Sequence, residues 1–254
     1  GYNKIGTFAL PAGAAMFDSL PDGRVITLSG STVYLETAPA SGLFAAAGNL
    51  IGADFPSFGA AFLRVSPDGT QFAVGNNGGS SFSSFRVGVF TISNLAGDWF
   101  SAAHYDGAWI DDQRLALTAG DFGSPAYVTL LDTNSPIPLN PDNRTVIAGI
   151  EGASGGIAFD ALGNLYTGNG FTGAGPSGTG AIKAYSNSLW ETAYANNTPL
   201  NFETQGMLVV DILSASPLDF DDEGNLLVGG GDFSESSETD YVAVVRASAI
   251  ATAL

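Results

Sequence analysis

A pattern of two apolar strands joined by a tight turn recurs five times along the chain. The turns lie at positions 23, 69, 113, 163 and 224, and successive turns are 46, 44, 50 and 61 residues apart. A third apolar strand follows in each copy, at 32–36, 86–92, 127–132, 181–185 and 241–246. A unit of about 40 to 50 residues with four short antiparallel strands is typical of a propeller blade. The sequence therefore predicts an all-β fold, a five-bladed β-propeller.

The repeats fill the chain, so residues 1–254 are expected to form a single domain. The last repeat ends soon after its third strand, whereas residues 4–10 form an apolar strand ahead of the first repeat. We predict that this N-terminal strand is the outer strand of blade five, which removes the free sheet edges that otherwise template aggregation. Helix is expected only over 188–195.

The turn sequences carry a resemblance to known propellers. Asp160-Ala-Leu-Gly-Asn-Leu-Tyr166 and Asp221-Asp-Glu-Gly-Asn-Leu-Leu227 resemble the turns of NHL-repeat and gluconolactonase-like propellers. Ser66-Pro-Asp-Gly69 resembles the turn of many bacterial secreted propellers. The resemblance covers the whole chain as a repeat pattern, and the motif itself is a β-turn. It implies the fold, and no catalytic residue is carried over from it.

The charge balance argues against nucleic acids and anionic membranes as partners. The 254 residues include 25 acidic and 8 basic side chains, for a net charge of −17. Only two of the basic residues are lysines, Lys4 and Lys183, so the surface cannot neutralise a run of phosphates. No apolar run approaches the roughly 18 residues that span a bilayer, and the absence of cysteine excludes disulfides. We expect no nucleic-acid binding and no membrane insertion.

Oxygen-bearing side chains recur where the second strand of each repeat ends. The pairs are Gly75-Asn76, Gly120-Asp121, Gly168-Asn169 and Gly231-Asp232, with Gly30-Ser31 as a shorter version. Such pairs form ordinary Asx-turns, but a ring of oxygen ligands also suits Ca²⁺. The segment 232–240 concentrates further carboxylates, which alternatively form a solvated acidic loop. The candidate calcium ligands are Asp121, Asp232, Glu235, Glu238 and Asp240.

Aromatic residues gather in the same connections and beside the third inner strand. The candidate ligand- or partner-binding residues are Phe55, Phe122, Phe171, Phe233, Trp109 and Tyr105. Aromatic side chains at equivalent places in successive blades either fill the space between blades or form an exposed apolar surface. If exposed, the surface at this loop-rich face suits a glycan, a hydrophobic small molecule or a protein partner.

An enzymatic site requires titratable groups that converge on the axis. Asp106, Glu151 and Asp211 are expected just before the inner strands of blades three, four and five, and a glycosidase needs two facing carboxylates. Gly152-Ala-Ser154-Gly-Gly156 matches a nucleophile elbow only by chance, because it lies ahead of a strand rather than at a strand-to-helix turn. The polar loops consist mainly of Ser, Asn and Gly, which favours binding over catalysis.

The sequence thus predicts an exported, non-enzymatic propeller that acts as a binding or assembly module through its long-loop face, stabilised by Ca²⁺ if the acidic ligands converge. One alternative is a hydrolase of glycosides or lactones, and another is a structural subunit of a larger extracellular complex. A chain that begins at Gly1 fits either a processed mature protein or a shortened form of a longer chain, so export is inferred from composition. The expected location is extracellular or periplasmic.

Overall fold

A computed structural model describes residues 9–51, 60–76, 86–101, 104–120, 125–134, 144–151, 154–169, 181–212, 217–230 and 241–250. In these ranges the chain forms twenty strands and three short helices. The strands make five small sheets, one for each repeat, and the first strands of successive sheets contact one another around a ring. The fold is a five-bladed β-propeller, as the repeat spacing predicts.

Blades one and two are four-stranded antiparallel meanders in which each strand pairs with the next one along the chain. Blade one contains β1 (Ala14–Ser19), β2 (Val25–Ser29), β3 (Thr32–Glu36) and β4 (Phe44–Asn49). Blade two contains β5 (Ala60–Val65), β6 (Gln71–Asn76), β7 (Arg86–Thr91) and β8 (Gly97–Ser101). The first strand of each blade is the innermost.

A long connection within blade four adds a fifth strand to blade three. Blade three contains β9 (Asp106–Trp109), β10 (Arg114–Ala119), β11 (Ala126–Asp132) and β12 (Arg144–Ile150), and β16 (Leu200–Asn201) pairs parallel to β12. Blade four contains β13 (Ser154–Phe159), β14 (Leu165–Asn169), β15 (Ile182–Tyr185) and β17 (Met207–Val210). Helices α1 (Asn187–Asn196) and α2 (Phe202–Gln205) lie between β15 and β17.

Blade five has three strands within the described residues. They are β18 (Leu218–Phe220), β19 (Leu226–Gly230) and β20 (Tyr241–Val245), followed by helix α3 (Ala247–Ile250). The outer strand predicted at 4–10 falls largely outside the described ranges and stays a prediction. The expectation of a single helix is wrong, because α2 and α3 each add one turn besides α1.

Side chains in the turns explain why two of these helices begin where they do. Asp160 and Asp221 each accept hydrogen bonds from two backbone N–H groups of their own turn. Asn164 Oδ1 accepts from the backbone N–H of residue 187 at 3.0 Å, and Asn225 Oδ1 accepts from that of residue 247 at 3.1 Å. These are the first residues of α1 and α3, whose N–H groups have no partner inside the helix. The Asp-x-x-Gly-Asn turn therefore fixes the start of each helix.

The hydrophobic core is divided among the interfaces between neighbouring blades. Separate clusters of buried side chains join blades one and two, two and three, three and four, and four and five. The cluster between blades three and four includes Trp190 of α1, which is fully buried and donates its indole N–H to Gly163 O at 2.9 Å. Each sheet is apolar on both faces, so a blade is stable only between its neighbours.

Candidate functional site

Two positions on or directly before the first strand of each blade lie at the axis of the ring. Five residues before the turn position, the blades carry Asp18, Arg64, Ala108, Ala158 and Asp219. Seven residues before it, they carry Met16, Phe62, Asp106, Gly156 and Pro217. Residues two apart share one face of a strand. Nine of these ten residues line cavities along the axis.

Two chambers lie along the axis among the described residues. The large chamber has a volume of about 390 Å³ and is lined by Met16, Phe17, Asp18, Ala61, Phe62, Arg64, Tyr105, Asp106, Pro217, Leu218 and Asp219. The small chamber has a volume of about 200 Å³ and takes wall residues from all five blades. Both chambers share Asp18, Arg64, Leu218 and Asp219. Three charged residues of the inner strands, Asp18, Arg64 and Asp219, therefore lie at the boundary between the chambers, whereas Asp106 lines only the large one.

The large chamber lies toward the end of the axis where the inner strands begin. Tyr105 and Pro217 in its wall directly precede β9 and β18, whereas Pro67 and Phe159 in the wall of the small chamber follow or end their strands. In an antiparallel meander, the connection that leads into the first strand and the one that leaves the second strand are at the same end. The large chamber thus faces the end that carries the long loops.

Arg64 of β5 connects the inner strands of the neighbouring blades two and three. Its Nη2 donates to Asp106 Oδ1 at 2.9 Å, its Nε donates to Gly107 O at 3.0 Å, and its Nη1 donates to Leu63 O at 3.1 Å. The Arg64 side chain is 26% exposed, whereas the Asp106 side chain is 5% exposed. The ion pair therefore has a buried carboxylate and a guanidinium that water can reach from the cavities.

Burial controls the protonation of Asp106. It raises the pKa of this carboxyl above the ordinary value of 3.8, although the Arg64 guanidinium and the backbone N–H groups of Gly107 and Ile157 act in the opposite direction. These N–H groups donate to the carboxylate at 2.9 Å and 3.4 Å. Asp106 thus accepts hydrogen bonds from the inner strands of three blades, namely blade two, its own blade and blade four.

Asp18 of β1 is a second axial carboxylate with a raised pKa. Burial is the main cause, while hydrogen bonds from the backbone N–H groups of Val65 and Ser19 lower the pKa. Asp18 Oδ2 accepts from Val65 N at 2.7 Å, and Oδ1 accepts from Ser19 N at 2.8 Å. The side chain therefore caps the inner edge of the neighbouring blade and also lines both chambers.

Asp219 of β18 is the exposed member of the group. Its Oδ1 accepts from the backbone N–H of Phe220 at 2.8 Å, and its charge contributes to the raised pKa of both Asp18 and Asp106. Three carboxyl groups and one guanidinium thus face the large chamber. Arg64 forms an ion pair with Asp106 and its charge also lowers the pKa of Asp18, so one guanidinium faces three carboxyl groups among the described lining residues.

The residues predicted for an active site do not all meet. Asp106 and Tyr105 line the large chamber. Glu151 and Asp211 are exposed and are not among the residues that line either chamber. Trp109 is buried in the wall of the small chamber and donates its indole N–H to Arg64 O at 2.9 Å. Of the three predicted carboxylates, the described structure places only Asp106 at the axis.

The predicted calcium ligands and loop aromatics fall outside the described residues. These are Asp121, Asp232, Glu235, Glu238 and Asp240, and Phe55, Phe122, Phe171 and Phe233. Within the described ranges, no three His, Asp or Glu side chains are arranged to hold a metal ion. Asn169, one member of the predicted oxygen ring, accepts a hydrogen bond from Ala181 N at 2.6 Å, across the pair of strands β14 and β15.

Sequence reasoning missed Asp18, Arg64 and Asp219. The uninterrupted apolar runs ahead of the first two turns end at Phe17 and Leu63, one residue before the charged position. Alignment of the five repeats on their turns shows that the same position holds a charge in three blades. A charged residue at a fixed distance before the turn was therefore the sequence feature that could have indicated these axial residues.

The fold and its axial chambers define a five-bladed propeller with an acidic central cavity, and solved structures support the fold. No model of a protein family matches the sequence, and none of the curated proteins is significantly similar to it. The chain is similar in structure to the PQQ-bound aldose sugar dehydrogenase from Streptomyces coelicolor, with a TM-score of 0.58 and 14% identity over 93% of this chain and 82% of that one.

Two further solved structures agree with the resemblance of the turns. Regucalcin from Agrobacterium tumefaciens, described as a calcium-binding protein, has a TM-score of 0.58 and 15% identity over 91% of this chain and 72% of that one. A putative gluconolactonase has a TM-score of 0.51 and 15% identity over 92% of this chain and 79% of that one. At such identity these similarities establish the propeller fold alone.

In the described part of the chain, none of the helices has the length and apolar character needed to cross a membrane.

Proposed function

We propose that this protein is a non-enzymatic binding module whose large chamber takes a small organic cation with an apolar body. The observation that carries the proposal is the charge of the axial cavity: among the described residues of its wall, the three carboxyl groups of Asp18, Asp106 and Asp219 face the single guanidinium of Arg64. A cavity with low-dielectric walls and charges of one sign concentrates the field and attracts the opposite charge.

The rest of the wall supports the apolar part of this ligand. Met16, Phe62 and Leu218 line the large chamber, and Phe17 in the same wall is 61% exposed. A volume of about 390 Å³ lies within the range of small-molecule sites, which combine apolar walls with a few polar groups. Aromatic faces also attract cations. The chamber lies toward the loop-rich face, where the sequence predicts binding.

The test is thermal unfolding with two matched probes, 2-phenylethylamine and 2-phenylethanol. The amine should raise Tm, because a ligand bound by the native state stabilises it by about 2.7 kcal/mol at 100 times Kd, or about 5–11 °C for a chain of this length. The neutral alcohol should give a much smaller shift. Equal shifts for both probes, or none, would contradict the proposal.

A pair of variants locates the binding site. Asp219→Asn removes one carboxylate charge from the chamber and should weaken 2-phenylethylamine binding about 3- to 10-fold. Asp222→Asn is the matched control, because Asp222 is an exposed acid in a turn outside the chamber wall and its loss changes the net charge equally. If both variants weaken the amine to the same extent, binding is a general effect of net charge.

A hydrolase of glycosides or lactones is the second candidate function. It is supported by the geometry of Asp18 and Asp106, which line the same chamber, and by burial, which raises the pKa of both carboxyl groups in the direction that general acid catalysis requires. The test is the hydrolysis of aryl glycosides and aldonolactones by the purified protein. Turnover that is lost in Asp18→Asn would favour this function; no turnover above the uncatalysed rate would eliminate it.

Calcium stabilisation is a further part of the proposal, and it is supported by the carboxylates of the 232–240 segment. Excess Ca²⁺ should raise Tm by several degrees relative to chelator, because the native state alone would bind the ion. The variant Asp232→Asn together with Asp240→Asn should abolish that rise. An identical Tm in Ca²⁺ and chelator would leave these residues as turn formers.

Export from the cell is also proposed. It is supported by the sequon Asn196-Asn-Thr198, which is exposed at the end of α1, and by the Ser-, Asn- and Gly-rich surface composition. Fractionation of the source cells tests it. Recovery in the periplasmic or culture fraction is expected, and recovery with cytosolic markers would contradict it.

A further inference from the structure

Arg64 has donor capacity that the protein itself does not use. A guanidinium carries five N–H donors, one on Nε and two on each terminal nitrogen. In the described structure Nε donates to Gly107 O, Nη1 to Leu63 O and Nη2 to Asp106 Oδ1. One N–H on each terminal nitrogen therefore has no acceptor among the described residues, although the side chain lines both chambers and is 26% exposed.

Asp106 uses only one oxygen on Arg64. Its Oδ1 accepts from Nη2, while its Oδ2 accepts from Ile157 N, so the pair is not the two-point contact that an arginine fork can make with a carboxylate. A guanidinium held in this way, with its Nε fixed on a backbone oxygen, keeps a defined orientation. It leaves a place for a second carboxylate that reaches it from the chamber.

Asp219 offers the opposite charge on the same wall. It occupies the same position before the turn as Arg64, two blades away, with Asp18 of blade one between them. Asp219 Oδ1 accepts from Phe220 N, and Oδ2 accepts no hydrogen bond from the described residues. The boundary of the two chambers thus presents an acceptor for an ammonium group and donors for a carboxylate.

We infer that the ligand is a small zwitterion, of the class of amino acids with an apolar side chain, whose ammonium lies at Asp219 and whose carboxylate lies at Arg64. The inference rests on the proposed function and narrows it. An anion alone meets Asp18, Asp106 and Asp219 and is repelled, and a cation alone leaves the free N–H groups of Arg64 unused. A zwitterion satisfies both sides, and its apolar side chain occupies the region of Phe62 and Leu218.

Four compounds that share one aromatic body test the inference by calorimetric titration of the full chain. They are phenylalanine, 2-phenylethylamine, 3-phenylpropionate and 2-phenylethanol. Phenylalanine should bind at least about 10-fold more tightly than 2-phenylethylamine, because charge-assisted hydrogen bonds to a guanidinium add to the ammonium contact. The anion and the alcohol should bind more weakly than the amine.

The outcomes separate this inference from the proposal on which it rests. Equal Kd values for phenylalanine and 2-phenylethylamine overturn the zwitterion and leave the cation site intact. Absence of binding by all four compounds overturns both. Binding of 3-phenylpropionate as tight as that of phenylalanine overturns the ammonium contact at Asp219.

Arg64→Lys keeps the positive charge and removes the paired N–H donors of the guanidinium. The ratio of the Kd of 2-phenylethylamine to that of phenylalanine should therefore fall below about 3. Arg24→Lys, on a surface turn, is the control and should keep the full ratio. If Arg64→Lys does not fold, phenylalanine amide gives the same information with the wild-type protein. The amide should bind like 2-phenylethylamine; binding equal to that of phenylalanine overturns the role of Arg64.

Discussion

Asp106→Ala is the substitution that most directly tests the description of the axial site. The carboxylate is buried and accepts hydrogen bonds from Arg64 Nη2, Gly107 N and Ile157 N. The variant leaves the guanidinium without its countercharge and two buried backbone N–H groups without their acceptor. Asp106→Asn keeps an acceptor oxygen and removes the charge, whose burial is unfavourable and raises the pKa of the carboxyl.

The expected loss follows from the burial of the pair. Removing one partner of a buried ion pair costs about 3–5 kcal/mol. Because the Arg64 side chain is 26% exposed and water can reach it, the loss for Asp106→Ala should be at the lower end, about 3 kcal/mol. For a chain of this length that corresponds to a fall in Tm of about 6–12 °C. Asp106→Asn should lose about 1–2 kcal/mol.

The assay is urea unfolding followed by circular dichroism, with calorimetry for Tm. Asp219→Ala is the matched control: it removes an aspartate from the same chamber, but one that is exposed and bonded only to the adjacent Phe220 N in the described structure. Its free energy of unfolding should stay within about 0.5 kcal/mol of wild type. If Asp106→Ala is no less stable than Asp219→Ala, the buried pair does not hold blades two and three together.

Three further predictions concern stability. Burial raises the pKa of Asp18 above 3.8, so the native state binds the proton more tightly than the unfolded state. Relative to Asp18→Asn, the wild-type protein should therefore gain free energy of unfolding as the pH falls from 7 toward about 4. Urea titrations that show the opposite trend would refute this. Gly75→Ala places a Cβ 2.6 Å from the buried ring of Phe62 and should lower the free energy of unfolding in urea by about 1–3 kcal/mol. An unchanged urea midpoint would mean that the Phe62 ring can move aside freely. Lys183→Met removes an ammonium that donates to Phe202 O at 3.0 Å. Amide hydrogen exchange over 200–206 should become faster, and the free energy of unfolding should fall by about 1–2 kcal/mol. Unchanged exchange would show that this hydrogen bond does not hold α2 in place.

The fold could be predicted because propeller blades are assembled from neighbours in sequence. Third strands predicted at 32–36 and 241–246 are observed at Thr32–Glu36 and Tyr241–Val245. Each hairpin pairs residues that are close along the chain, and its turn is set by residues within it. Helix α3 was not predicted because it is a single turn of four residues, too short to give a helical pattern in the sequence.

The sequence alone determined the five repeats, their strands and the presence of Asp106 and Tyr105 beside an inner strand. Only the tertiary structure decided that Asp18, Arg64 and Asp219 belong to the same cavity, since they come from three blades that are far apart in sequence and meet when the ring closes. It also decided that Asp106 is buried while Asp219 is exposed, although both are aspartates on inner strands. Desolvation and Coulomb energy depend on distance and on the exclusion of water. Both are set by how five blades pack around one axis, and neither is set by the residues on either side of a carboxylate in the chain.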